Sequence, residues 1–138
     1  MNHSILYAED DPDIRGALTE ALSAAGYSVC GVGDGREALV SAVTHISRYD
    51  LIITDHTMPR MDGLTLVRHL RKADFPGWIM VLTGCIGREA QRCYEELRAD
   101  TMLRKPVRVQ GLLTAVETLF KQPRPGYFQR EQINSKSE

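Results

Sequence analysis

No apolar run in this chain approaches the roughly 18 residues that a membrane-spanning helix needs. The N-terminus has no basic segment followed by a long apolar stretch, so no secretory signal is expected. An excess of one charge is missing too. Seventeen Lys and Arg face 18 Asp and Glu, for a formal net charge of −1. No global basic field therefore favours nucleic acid or an anionic membrane, and neither is expected as a partner. Cysteine is scarce: Cys30, Cys85 and Cys93 are odd in number and have no metal-ligand spacing. They read as reduced thiols of a cytoplasmic protein. His3, His45 and His69 lie apart and offer no paired spacing for a metal. Internal repeats are absent.

What remains fits one compact domain of 138 residues, 43% of them hydrophobic. Apolar runs alternate with helix-period segments. The pattern predicts strands at Ser4–Ala8, Ser28–Val32, Leu51–Thr54, Ile79–Leu82 and Thr101–Leu103. It predicts helices at Pro12–Ala25, Arg36–Ile46, Gly63–Lys72, Arg88–Leu97 and Arg108–Lys121. The first, third and fourth strand runs are nearly all apolar, as for strands covered on both faces by helices. Pro12 suits a first helical turn, and Gly26 suits a helix stop. Five strand–helix repeats give a doubly wound α/β domain. After Lys121, Gln122-Pro123-Arg124-Pro125-Gly126 cannot continue a helix. Residues 122–138 read as a short, flexible polar tail, unless Tyr127 and Phe128 dock.

The chemistry-bearing residues fall at the strand ends, where open α/β sheets place their sites. Glu9-Asp10 follow the first strand, Asp55 ends the third, Thr83 follows the fourth, and Lys105-Pro106 follow the fifth. Adjacent carboxylates repel unless a cation or a lysine lies between them. Glu9, Asp10 and Asp55 are of the type that holds Mg²⁺ together with waters and phosphate oxygens. The plainer reading is that the acidic pair caps the next helix, a role Asp11 or Asp13 can fill. Asp55 can also attack a phosphoryl group to give an acyl phosphate. Lys105 and the Thr83 hydroxyl could neutralise or hydrogen-bond the remaining phosphoryl oxygens.

Four stretches resemble the receiver domain of bacterial two-component response regulators, over about residues 4–121. They are Ile5-Leu6-Tyr7-Ala8-Glu9-Asp10-Asp11, Asp55-His56-Thr57-Met58-Pro59-Arg60-Met61-Asp62-Gly63, Val81-Leu82-Thr83-Gly84 and Lys105-Pro106. The resemblance implies a flavodoxin-like (βα)5 sandwich with strand order 2-1-3-4-5. It implies that Asp55 is the phosphoacceptor, and that Glu9, Asp10, Asp55 and the Thr57 carbonyl bind Mg²⁺. Thr83 and Lys105 would contact the phosphoryl group. The donor would be a phosphohistidine on a sensor histidine kinase or a histidine phosphotransfer protein, or a small donor such as acetyl phosphate. Such a protein is a signalling phosphoacceptor rather than an enzyme, catalysing only its own phosphorylation and dephosphorylation.

One departure from the family pattern stands out, and three other positions bear on the chemistry. Met102 replaces the aromatic residue common three positions before the lysine, so the Thr83–Met102 switch would lack its ring. Thr57 and Cys85 stand where the approach of hydrolytic water is tuned, and strongly accelerated self-hydrolysis is not expected. His56, next to the nucleophile, is expected to point away from it.

The resemblance also implies two contact surfaces. Ile14 and the loop after Pro106 would meet a histidine-bearing helix bundle. The face of the fourth helix, fifth strand and fifth helix carries Arg88, Arg92, Arg98, Arg104 and Arg108, and would serve a homodimer or an acidic partner. No helix-turn-helix, cyclase or esterase segment follows the receiver-like stretch, so the expected output is a protein contact, a phosphorelay step, or a further domain outside these 138 residues. Other readings are a pseudo-receiver that binds proteins without phosphate, and a Mg²⁺-dependent phosphohydrolase. The latter usually carries its nucleophile on the first strand. A flavin-binding domain would need a phosphate loop after that strand, and there is none.

Overall fold

The computed structural model describes residues 2–123. The expected tail, including Tyr127 and Phe128, lies almost wholly outside them. Ten elements alternate: β1 (Ser4–Ala8), α1 (Pro12–Ala24), β2 (Ser28–Val32), α2 (Gly35–Thr44), β3 (Leu51–Asp55), α3 (Gly63–Lys72), β4 (Trp78–Thr83), α4 (Arg88–Glu96), β5 (Thr101–Arg104) and α5 (Val109–Lys121). Every pairing is parallel, and the strand order is β2-β1-β3-β4-β5.

The helix and strand bounds agree with the sequence expectation to within about two residues, the usual uncertainty of an element's end. The two strands that end in chemistry run further than expected. Asp55 pairs with Leu82, and Thr83 with Arg104, so the sheet ladder itself holds these side chains.

Strand residues alternate between two cores because successive side chains point to opposite faces. Ile5, Tyr7, Leu51, Ile53, Met80 and Leu82 pack toward Leu18 and Leu22 of α1 and Leu112, Val116 and Leu119 of α5. Leu6, Ala8, Ile52, Ile79 and Val81 pack toward α2, α3 and Tyr94 of α4. β3 and β4 are buried at every position, as their unbroken apolar runs require. β2 and β5 are the two edges, and both are only partly buried.

The N-termini of α1, α2 and α3 are capped by side chains close in sequence. Asp11 Oδ1 accepts the Asp13 N–H at 2.9 Å and the Ile14 N–H at 3.2 Å, the capping role expected of an acidic residue here. Asp34 caps α2 through the Glu37 N–H, and Asp62 caps α3 through the Thr65 N–H. Gly26 takes φ +104° after α1, a conformation that glycine adopts without steric cost. Among the described residues no helix is long and apolar enough to cross a membrane.

Candidate phosphoacceptor site

Parallel strands bring their C-terminal ends to one edge, and four of the five strands carry the expected residues there. Asp55 is fully buried. Lys105 reaches over from the end of β5 and places Nζ 2.9 Å from Asp55 Oδ1 and 3.9 Å from Glu9 Oε1. Glu9, Asp10 and Asp55 each offer a carboxylate oxygen, and these oxygens lie within 4.8 Å of one another. Glu9 is buried and Asp10 exposed, so the group has a wet side and a dry side. The Lys105–Pro106 peptide is cis.

The buried polar atoms show what the pocket fits. Asp55 Oδ2 and Thr83 Oγ1 are both buried without a hydrogen-bond partner. Native proteins rarely leave such atoms unsatisfied, and a site for an ion or ligand is one standing reason. The three carboxylates form an all-oxygen donor set of the kind Mg²⁺ selects. The residues therefore fit the ion and an oxyanion beside it. Thr57, two residues after Asp55, is exposed.

Neighbours hold the acids in place. The Tyr7 hydroxyl, on the α1/α5 side, donates to Glu9 Oε1 at 3.5 Å. The Asp11 N–H donates to Glu9 Oε2 at 3.2 Å, and Arg15 Nη1 donates to the Glu9 carbonyl at 2.7 Å. Burial, then Glu9 and Asp55, push the Tyr7 phenol far above its usual value, so it stays a donor at neutral pH. Burial works against the Lys105 charge, yet Asp55 and Glu9 hold its ammonium above the ordinary range.

Burial, then the Asp55 carboxylate, push Glu9 up from 4.5 to about 7 without metal. Its folded form thus holds a proton that the unfolded chain releases. The stability Glu9 contributes is full below pH 4.5 and is lost as pH rises through about 7. Mg²⁺ requires the carboxylate, so metal binding is expected to weaken as pH falls through the same window. Calorimetry should show metal-free melting temperatures falling from about pH 4.5 to pH 7, with Mg²⁺ restoring them most at the higher pH.

The β3–α3 loop is pinned at several points. Arg60, at φ +67°, places Nη1 3.1 Å from the buried Asp34 carboxylate at the start of α2. The Gly63 N–H donates to the His56 carbonyl at 2.8 Å. Asp55 faces the α1/α5 layer, so strand alternation sends His56 to the opposite layer. There His56 Nδ1 and the Tyr94 hydroxyl of α4 share a hydrogen bond of 2.6 Å. The histidine points away from Asp55, as expected, but it is paired, which sequence reasoning missed.

Of the remaining expected residues, Met102 is half-buried and packs against the α2–α4 core. It lines a small cavity of about 220 Å³ with Thr83, Gly84, Cys85, Ile86 and Gln91. A Cβ at Gly84 would meet nothing within 4 Å, so space beside Thr83 is open. Ile14 is 45% exposed and joins Leu18, Pro106, Val107 and Val109 around an apolar groove of about 630 Å³ that reaches Glu9 and Lys105. Arg88, Arg92, Arg98, Arg104 and Arg108 are all exposed, but Glu89, Glu95 and Glu96 share α4 with the first two. That face is mixed in charge rather than uniformly basic.

The response regulator receiver domain family model matches residues 5–117. Response regulator MprA of Mycolicibacterium vanbaalenii is 37% identical over 123 residues, covering 88% of this chain and 52% of that protein. Response regulator MprA of Mycobacterium tuberculosis is 35% identical over 127 residues, covering 91% and 54%. The chain thus spans about half the length of these curated relatives. Among solved structures, Vibrio cholerae chemotaxis protein CheY4 superposes with a TM-score of 0.77 at 31% identity, covering 86% of this chain and 99% of that one. The receiver domain of the Francisella response regulator 1452 gives 0.78 at 28% identity, covering 87% and 98%. With its five-stranded sheet, its acidic edge and these matches, the chain belongs to the response regulator receiver domains of two-component signalling.

Proposed function

We propose that this receiver accepts a phosphoryl group on Asp55 and converts its presence into a change of protein contacts. The observation that carries this reading is the fully buried Asp55, with Lys105 Nζ at 2.9 Å and Oδ2 and Thr83 Oγ1 left without partners. A structural salt bridge alone would not leave a second Asp55 oxygen and the hydroxyl at the next strand end buried and unsatisfied.

A carboxylate oxygen of Asp55 attacks the phosphorus of a phosphohistidine on a sensor kinase or phosphotransfer protein. The new P–O bond forms as the P–N bond breaks, and the imidazole leaves with the electron pair. Lys105 neutralises charge on the phosphoryl oxygens, as a compact ammonium can from its present position. The Thr83 hydroxyl has a free donor for another oxygen. Glu9, Asp10 and Asp55, with the Thr57 carbonyl, would hold Mg²⁺, which supplies charge neutralisation for the transferring group. The groove around Ile14 and Pro106 adjoins Glu9 and Lys105, so a donor helix seated there would bring its histidine to Asp55. The face of α4, β5 and α5 is the proposed output surface, for a second copy or another protein.

The test is incubation with acetyl phosphate, with and without Mg²⁺, read by intact mass. One added phosphoryl group that needs Mg²⁺ is the expected result. No adduct with any donor, together with no Mg²⁺ binding by calorimetry, would overturn the reading.

A further inference from the structure

Helix α4 is mostly polar, and Tyr94 is its one buried residue. The Tyr94 ring meets the His56 ring edge-on, with centroids 5.5 Å apart at 74°. Its hydroxyl and His56 Nδ1 share the 2.6 Å hydrogen bond. His56 directly follows Asp55 in the chain. Its N–H donates to the Leu82 carbonyl of β4 at 2.9 Å, and its carbonyl accepts from Gly63 at the start of α3. A shift of the Asp55 main chain therefore reaches His56 at once, and any shift of His56 loads the bond to α4. The two other interactions around His56 are backbone bonds within the rigid sheet edge and the α3 start. The side-chain bond is the adjustable one.

Nothing else among the described residues joins α4 to residues 56–62 by a side-chain hydrogen bond. Met102, by contrast, has a flexible thioether beside an open cavity. Sulfur is a weak acceptor and donates nothing, so it cannot hold a directional bond that registers a change at Asp55.

We infer that the His56–Tyr94 hydrogen bond couples occupancy of the Asp55 site to helix α4, making Tyr94 the transmitting residue of this chain. The inference rests on Asp55 being the phosphoacceptor. Coupling of this kind is reciprocal, so breaking the bond also changes how tightly the site holds its ligand.

The test compares wild type, Tyr94→Phe, His56→Leu, the double variant and His56→Asn. Beryllofluoride with Mg²⁺ serves as the phosphoryl mimic. Fluorine NMR reports its binding, and amide exchange over residues 88–97 reports α4. Tyr94→Phe keeps the buried ring, and His56→Asn keeps a polar atom near the place of Nδ1. The wild type is expected to bind the mimic and to change α4 exchange. Tyr94→Phe and His56→Leu should each bind it, but with the α4 response cut about fivefold, the scale of one hydrogen bond. The double variant should lose no more than either single one, because both remove the same bond. His56→Asn should retain most of the response. An undiminished α4 response in Tyr94→Phe, or losses that add in the double variant, would overturn the inference and leave the phosphoacceptor reading intact. Failure of the wild type to bind beryllofluoride would overturn both.

Discussion

Asp55→Asn is expected to abolish phosphoryl uptake altogether while leaving the fold in place. The substitution is isosteric, so the packing of a residue with no exposed surface is kept. An amide offers no comparable nucleophile toward phosphorus, and one of the three carboxylates for Mg²⁺ disappears with it. The change in stability should be small for two opposing reasons. Lys105 loses its 2.9 Å partner, but its side chain is 38% exposed, so solvent compensates much of that loss. At the same time Glu9 loses a repelling neighbour, and its carboxyl should titrate lower, by the cause that raises it now. Intact mass after incubation with acetyl phosphate and Mg²⁺ measures the first effect, and thermal unfolding the second. An adduct that persists in Asp55→Asn would move the phosphoacceptor elsewhere.

Gly63→Ala should carry the largest stability cost of any single-methyl change near the site. A Cβ there would overlap the Asp55 carbonyl oxygen and stand 2.9 Å from the Tyr94 hydroxyl and 3.0 Å from His56 Cα. Two of these neighbours are backbone, and the third is a buried ring, so none can move aside cheaply. Forcing a methyl into such space costs about 1–3 kcal/mol, which offsets any gain in helix propensity. The displaced carbonyl belongs to Asp55, so phosphoryl uptake should slow as well. Gly16→Ala provides the contrast, because a Cβ at Gly16 within α1 meets nothing within 4 Å. There the helix should gain about 0.5–1 kcal/mol. Urea unfolding of the two variants would separate the contact effect from the general effect of replacing glycine. Equal shifts in the two would show that the Gly63 contact is not tight.

Sheet and acidic edge could be read from sequence because their causes are local. Continuous apolar runs at Ile5–Ala8, Leu51–Ile53 and Ile79–Leu82 follow directly from burial on both faces. A charged residue ending such a run can only sit at the sheet edge, which placed Asp55. The order of the strands is a different matter. Parallel connections of this length fit several orders, and the order 2-1-3-4-5 came from the family resemblance rather than from periodicity. Pairing between distant side chains was not legible. Alternation along β3 sends His56 away from the α1/α5 layer, but nothing in sequence names the residue 38 positions later that meets it. Tyr94 did leave a trace, as the lone aromatic in the polar segment Arg88–Glu96. Tyr7 left none. It read as one more apolar position of β1, and only its reach toward Glu9 Oε1 shows that its hydroxyl belongs to the site. Arg60 likewise read as loop charge, whereas its contact with Asp34 helps to pin the loop that carries Thr57.

Locating the acyl phosphate tests the central claim most directly. Borohydride reduces an acyl phosphate to an alcohol, which turns a phosphorylated aspartate into homoserine. After treatment with acetyl phosphate and Mg²⁺, reduction and peptide mapping should find homoserine at position 55 and nowhere else, and only where Mg²⁺ was present. Homoserine at position 10, a reduced glutamate at position 9, or an unmodified chain would contradict the assignment of Asp55.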